Sequence, residues 1–238
     1  MTNRLEQTMV RIAKGVLGKV QVFSALQHRP YRLFWFGQLG SVTGFQMLLV
    51  TQAWLVYDLT KSELSLGITG LAAATPAIML ILLGGVMADK VDKRRLLMLT
   101  QLLQSLSLFV LATLTAAGIV QVWHVWLNAA VISALGAFDQ PSRQAIFPQL
   151  IDRRDMMNAV ALNTMIWQGT RVFGPALAGI IISLTGPASA LYLAFIGFVV
   201  FAFLLSLLQV PRITKTTNDS VRDDIAAGLN FIRGNEVF

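Results

Sequence analysis

The sequence predicts an all-α membrane protein with six transmembrane helices. Of its 238 residues, 55% are hydrophobic and only 13% are charged, and the mean hydropathy is +0.64. Such a composition is too apolar for a water-soluble domain of this length. Uncharged stretches recur along the chain, and a spanning helix needs about 20 apolar residues. The lipid bilayer is therefore the expected surroundings of most of the chain.

Uncharged stretches and turn signals define the spans in order. The stretches 33–57 and 64–88 carry no charge, and each holds one span. The stretches 96–138 and 172–211 are longer and have turn signals near Gly118 and Gly186, so each is divided at that turn. The predicted spans are 33–57, 64–88, 96–117, 122–142, 157–184 and 188–210. The segments 1–32 and 211–238 flank the predicted bundle.

The distribution of positive charge predicts the orientation. The net charge is +7, and all but two of the 19 Lys and Arg residues precede the first span, follow the last, or lie in the loops after the second and fourth spans. Basic loops stay in the cytosol. Both termini are therefore expected in the cytosol, with the chain in the cell inner membrane, and no nucleic-acid partner is needed to explain the charge.

The loop between the second and third spans carries the strongest motif. It reads Gly-Gly-Val-Met-Ala-Asp-Lys-Val-Asp-Lys-Arg-Arg and resembles the signature loop of the major facilitator superfamily. The matching residues are Gly85, Asp89, Lys90, Lys93, Arg94 and Arg95. Asp92 stands where that family has a glycine, so the turn is expected to use left-handed backbone geometry at some cost. The resemblance implies a gating loop; the alternative is a basic cluster that only fixes topology.

A second resemblance runs from Asp139 to Gly179. The segments Asp-Gln-Pro-Ser-Arg-Gln and Arg-Val-Phe-Gly-Pro-Ala-Leu-Ala-Gly are similar to the efflux branch that contains the enterobactin exporter and macrolide efflux proteins. This resemblance implies the N-terminal six-helix half of a major facilitator fold. Gly174, Pro175 and Gly179 are expected to bend the fifth helix and pack closely. Pro175 is alternatively a tolerated kink.

Polar residues inside the spans are the candidates for a transport cavity. Asn163, Trp167 and Arg171 are four apart, so they share one face of the fifth helix. A cation within the hydrocarbon faces a cavity or a partner. Arg171 therefore lines the cavity, or instead pairs with another helix or with a carbonyl freed by Pro175.

Four further polar residues lie in or at the ends of the spans. Gln46 and Asn128 either line the cavity or join helices by hydrogen bonds. Asp139 and Arg143 are four apart at a helix end that is expected in the cytosol. They form either a local ion pair or a conformational latch with Asp89 or Arg94.

These features predict secondary active export of a small apolar or amphipathic molecule by alternating access. Coupling to protons is implied by the resemblance, and the carrier carboxylate is expected in a second half. The implied partners are the substrate, protons, the bilayer and either a second six-helix half or a second copy of the chain. No cofactor or metal is expected, because the chain has no cysteine and only two histidines. The alternatives are a non-transporting sensor or assembly protein and an integral membrane enzyme.

Overall fold

Six long helices make up the computed structural model, which describes residues 24–208 and, for 82–90, only the helical backbone. The predicted tails 1–32 and 211–238 fall mostly outside the described residues. No strand occurs in residues 24–208, and single short 3-10 turns cover Ser24–Gln27, Phe147–Leu150 and Arg153–Asp155. The helices are α1 (Arg29–Thr60), α2 (Glu63–Lys90), α3 (Lys93–Ala116), α4 (Val122–Ile146), α5 (Met156–Thr185) and α6 (Pro187–Ser206).

Length and composition allow five of these helices to cross a membrane. The segments concerned are Arg29–Thr60, Glu63–Ile81, Lys93–Ala116, Arg153–Thr185 and Pro187–Ser206. The remaining helix, α4, is 25 residues long but carries polar and charged side chains along its length. α6 ends at Ser206, four residues before the predicted end of its span. The chain is thus a multi-pass membrane protein, and its described part is all-helical.

Short turns reverse the chain between consecutive helices. Lys61, Gly118 and Gly186 adopt positive φ angles of 48°, 70° and 89°. The expectation for Asp92 is wrong, because its φ is −58° and it is the N-cap of α3. Its side chain accepts a hydrogen bond from the Arg95 backbone N–H at 3.1 Å. An aspartate satisfies an otherwise unpaired N–H at a helix start, which glycine does not.

The packing order differs from the order along the chain. α1 packs against α6 and α5, α3 packs against α6 and α4, and α2 packs mainly against α4. The contacts therefore connect the helices in the order α5, α1, α6, α3, α4 and α2, so that α5 and α2 lie at the two ends of this helix arrangement. Both helices leave large apolar side chains exposed, such as Ile78 at 73% and Phe173 at 68%. Surfaces of this kind face lipid or another protein.

Glycines permit a close approach of α1 to α6. A Cβ atom on Gly197 would lie 2.9 Å from the carbonyl carbon of Gly40 and closer still to its oxygen. A Cβ atom on Gly44 would lie 2.8 Å from the carbonyl oxygen of Ala194. Small residues at these positions let the two backbones touch, which is how membrane helices gain packing energy without a hydrophobic driving force.

Candidate functional site

A buried carboxylate joins α3 to α4. Asp139 is 4% exposed. Its Oδ1 atom accepts hydrogen bonds from Thr100 Oγ1 at 3.1 Å and from Gln101 Nε2 at 2.5 Å. Its Oδ2 atom accepts one from Arg143 Nε at 2.5 Å. Both oxygens therefore have donors, and this satisfies a carboxylate that is out of contact with water.

The guanidinium of Arg143 extends this network to α1 and α6. Its Nη2 atom donates to Ser41 Oγ at 2.9 Å, and that hydroxyl donates to Gln101 Oε1 at 3.0 Å. Its central carbon lies 4.5 Å from the centre of the Phe201 ring, which is a cation–π arrangement. Its Nη1 atom is buried and has no hydrogen-bond partner among the described residues. The local ion pair of Asp139 and Arg143 is thus the arrangement seen in this conformation.

A polar cavity of about 410 Å³ opens beside this pair, between α1, α4 and α5. We call it the amide cavity, because four carboxamide side chains line it. Gln38 Nε2 donates to Asn163 Oδ1 at 2.7 Å across the cavity wall. The residues that line it are Phe34, Gln38, Gln140, Arg143, Gln144, Phe147, Asn163 and Trp167. It offers hydrogen-bond donors and acceptors together with one indole ring.

A second, mostly apolar cavity of about 470 Å³ adjoins the first, and we call it the apolar cavity. The two share Gln140, Arg143, Gln144 and Trp167 in their walls. Its other walls come from α1, α2, α3, α4 and α6 and include Phe45, Ala77, Ile81, Gln104, Ile132 and Phe198. All six helices contribute to this cavity, so we refer to the two cavities together as the central cleft.

The predicted cavity residues fall into two groups. Asn163 and Trp167 line the central cleft. Asn128 does not; it accepts from Gln52 Nε2 at 2.8 Å and donates to Ser107 Oγ at 2.6 Å, so it joins three helices. Gln46 is 7% exposed and packs against α5. Neither of these two residues lines either cavity.

Arg171 lies on the surface of the described bundle. It is exposed, and no hydrogen bond or ion pair joins it to the residues that the structure describes. It lines neither cavity, although it is one helical turn beyond Trp167. It is on α5, at one end of the helix arrangement, so its charge points away from the central network.

Contacts in the basic loop are described for only part of the motif. The surroundings of Gly85, Asp89 and Lys90 lie outside the described residues. Arg94 Nε donates to the Leu205 carbonyl oxygen at 2.7 Å, and its Nη2 donates to the Ser206 carbonyl oxygen at 2.5 Å. A cation at the last carbonyls of a helix is stabilised by the helix dipole. Arg94 thereby fastens the start of α3 to the end of α6.

Arg95 makes a weaker contact than Arg94 does. Arg95 lies 3.7 Å from Asp92, and both side chains are exposed. Lys93 begins α3 and is half-buried. An exposed ion pair of this length contributes little to stability.

The three residues expected to bend and pack α5 differ in their surroundings. A Cβ atom on Gly174 would lie 2.6 Å from Gln46 Cβ, so this glycine allows α5 to approach α1 closely. A Cβ atom on Gly179 would have no atom within 4 Å. Pro175 lies inside the unbroken helix, where it removes one backbone hydrogen bond. Close packing within the described bundle therefore belongs to Gly174 alone of the three.

A second polar cluster ties the start of α1 to the start of α5. Asp155 Oδ2 lies 2.9 Å from His28 Nε2, and Tyr31 Oη donates to the Ala159 carbonyl oxygen at 3.0 Å. Hydrogen bonds from His28 and then from Ser24 hold the pKa of the Asp155 carboxyl below its usual value. None of these side chains lines either cavity, and the cluster fixes where α5 begins.

Several residues of the central cleft are absent from the predicted site. Gln140 and Gln144 follow Asp139 and Arg143 by one position, and Gln104 lies among apolar residues of α3. Their signal is a polar side chain recurring at helical spacing within an apolar span. That signal alone does not separate a cavity wall from a contact between helices.

Comparisons with known proteins agree with this architecture. The model of a family described as transmembrane secretion effector matches residues 20–237. The chain is 30% identical over 190 residues to the staphyloferrin A transporter of Staphylococcus aureus, covering 79% of this chain and 45% of that protein.

Two other relatives are more distant. The chain is 24% identical over 213 residues to the multidrug efflux pump Tap of Mycolicibacterium fortuitum, covering 85% of this chain and 52% of the relative. It is 24% identical over 189 residues to the enterobactin exporter EntS of Salmonella typhimurium, covering 78% and 44%. The chain spans about half the length of the curated relatives it matches.

Proposed function

Because this chain belongs to the transmembrane secretion effector family of the major facilitator transporters, we propose that it forms the N-terminal half of a secondary transporter that exports a small apolar or amphipathic molecule. Membership of a transporter family identifies a non-enzymatic protein. The observation that carries the proposal is the central cleft, where a polar and an apolar cavity adjoin around a buried ion pair. Pockets of this size and mixed lining hold small molecules.

Alternating access requires a second half, and the exposed helices supply a surface for it. α2 and α5 lie at opposite ends of the arrangement, and the central cleft lies between them. A second six-helix half, or a second copy of this chain, that packs on both helices closes the cleft from one side of the membrane at a time. The exposed cation of Arg171 then faces this second half, where it gains a partner.

The proposed orientation places both termini in the cytosol and the protein in the cell inner membrane. The basic residues at the start of α3, the end of α4 and the start of α5 support this orientation. Proton entry is the proposed driving force. Asp139 is the one acidic residue that lines the described cleft, and it is paired with Arg143. Another proton carrier is therefore assigned to the second half.

The basic loop is proposed to act as a gate, in which Asp89 pairs in only one of the two access states. Asp89→Asn is expected to shift the balance between inward-open and outward-open states without loss of membrane insertion. Single cysteines placed at each end of the cleft, labelled from either side of the membrane, measure this balance. Unchanged labelling on both sides would show that Asp89 is not part of a gate. The basic loop would then serve only to set the topology.

Flux through the complete protein tests the proposed export directly. Trp167 lines both cavities, so Trp167→Ala is expected to raise the KM for export about tenfold, because an aromatic wall of the cleft is lost. Trp123→Ala is the matched control, since Trp123 is 50% exposed and lines neither cavity. The measurement is uptake of a fluorescent amphipath into inverted membrane vesicles energised by a proton gradient. Absence of flux in the wild-type protein would instead favour a non-transporting sensor.

A further inference from the structure

The walls that the described residues form around the central cleft carry no unpaired charge. Among the described residues that line the two cavities, only Asp139 and Arg143 are charged. They lie 2.5 Å apart, and their side chains are 5% and 7% exposed. Each therefore neutralises the other in a setting that water does not screen. A charged ligand in this cleft finds no free opposite charge on the described walls.

The polar wall consists instead of carboxamides, which both donate and accept hydrogen bonds. The bond from Gln38 to Asn163 uses one donor and one acceptor of the pair. The Gln38 carbonyl oxygen can therefore still accept a hydrogen bond from a ligand, and the Asn163 amide nitrogen can still donate one. Gln140 and Gln144 are exposed, and they line both cavities. A ligand group that both donates and accepts matches this wall.

The apolar wall lies beyond these amides. Phe45, Ile132 and Phe198 line the apolar cavity, while the flat ring of Trp167 borders both cavities. The volumes of about 410 and about 470 Å³ each fall in the range of small-molecule pockets. A molecule that fills both must therefore be polar at one end and apolar along the rest of its length.

We propose that the substrate is an uncharged amphipathic molecule whose polar end carries both hydrogen-bond donors and acceptors, such as hydroxyl or amide groups. The polar end occupies the amide cavity, and the apolar body lies in the apolar cavity. Moving an ion out of water costs far more than moving an amide, and only a free counter-charge offsets that cost. The wall of amides offsets the smaller cost of a neutral polar group. This assignment of substrate class rests on the proposed export function.

Binding of three matched probes to the complete protein tests the proposal. Each probe has a dansyl fluorophore on an octyl chain, which ends in a primary amide, a carboxylate or a trimethylammonium group. Energy transfer from tryptophan to dansyl reports binding, and the part of the signal lost in Trp167→Phe reports binding in the cleft. The amide probe is expected to bind at least tenfold more tightly than either charged probe. Equal or tighter binding of a charged probe would overturn the proposal.

A second experiment introduces a charge into the wall of the central cleft. Gln140→Glu is expected to tighten binding of the trimethylammonium probe at least tenfold and to weaken binding of the carboxylate probe. Gln168→Glu is the matched control, because Gln168 is exposed on α5 and lines neither cavity. The same response in both variants, or none in either, would contradict the assignment of Gln140 to the binding site.

Measuring transport of the same probes across the membrane tests the substrate class and the export function separately. If the amide probe binds in the cleft but does not cross the membrane, the binding assignment stands and the export function fails. If probes are exported without regard to their charge, the export function stands and the substrate class is wrong.

Discussion

Replacing Gly197 with valine is expected to separate α1 from α6 and to cost the folded bundle about 3 kcal/mol or more. The reason is that the new side chain would meet the backbone of Gly40, which has no rotamer to change. A cost of that size corresponds to a fall of roughly 6–12 °C in the thermal unfolding midpoint. Unfolding of the detergent-purified protein, followed by tryptophan fluorescence, measures it.

The control for this variant is Gly169→Val on α5. A Cβ atom on Gly169 would have no atom within 4 Å, so the midpoint is expected to move by no more than about 2 °C. The helix propensities of glycine and valine differ by only a few tenths of a kcal/mol. This difference is the same in Gly197→Val and Gly169→Val, so it cancels when the two midpoints are compared. An equal loss in both variants would mean that the contact between α1 and α6 is not the cause.

Asp139→Leu is expected to cost about 3–5 kcal/mol, because it leaves the Arg143 guanidinium buried without its carboxylate. The double variant Asp139→Leu with Arg143→Leu is expected to recover most of that loss. Two leucines leave no buried charge, although the hydrogen bonds to Thr100 and Ser41 are lost. Thermal unfolding of the single variants and the double variant gives the coupling energy as a double-mutant cycle.

The exposed pair of Asp58 and Lys61 is a matched control for this cycle. Their side-chain atoms lie 2.6 Å apart, but the side chains are 51% and 66% exposed. Asp58→Leu is therefore expected to cost less than about 1 kcal/mol. If Asp139→Leu costs no more than Asp58→Leu, the pair of Asp139 and Arg143 is not a buried ion pair in the protein in solution.

Measuring transport by these variants separates an effect on stability from an effect on the transport mechanism. The double variant keeps the fold but has no ion pair facing the cleft. If it exports substrate at the wild-type rate, the pair is structural. Loss of export with an intact fold would support the alternative in which Asp139 and Arg143 belong to a conformational latch.

The apolar stretches and the basic loops were enough to predict the helices and the family. Each predicted span overlaps one observed helix, and the resemblance to the major facilitator superfamily is confirmed by the family match. The physical reason is local, because a run of about 20 apolar residues is helical in a bilayer whatever its neighbours are. The residues of a family motif are likewise read directly from the chain.

The tertiary structure decided which polar residues face the interior. Arg143 was predicted at a helix end, yet it is 6% exposed and lies at the centre of the polar network. Arg171 was predicted to line the cavity or to pair with another helix or with a carbonyl freed by Pro175, yet it is exposed on the described bundle. Helical spacing shows which residues share a face, and it does not show which neighbour that face meets.

The same limit applies to the cleft. Asn128 and Asn163 are both amides within spans, but the first joins three helices and the second lines a cavity. Gln140 became a cavity residue because α4 lies between α2 and α3 and turns that face toward α1 and α5. The sequence by itself determined the six helices of the described residues and the family. Only long-range packing, through close glycine contacts such as Gly40 with Gly197, decided which side chains form the cleft.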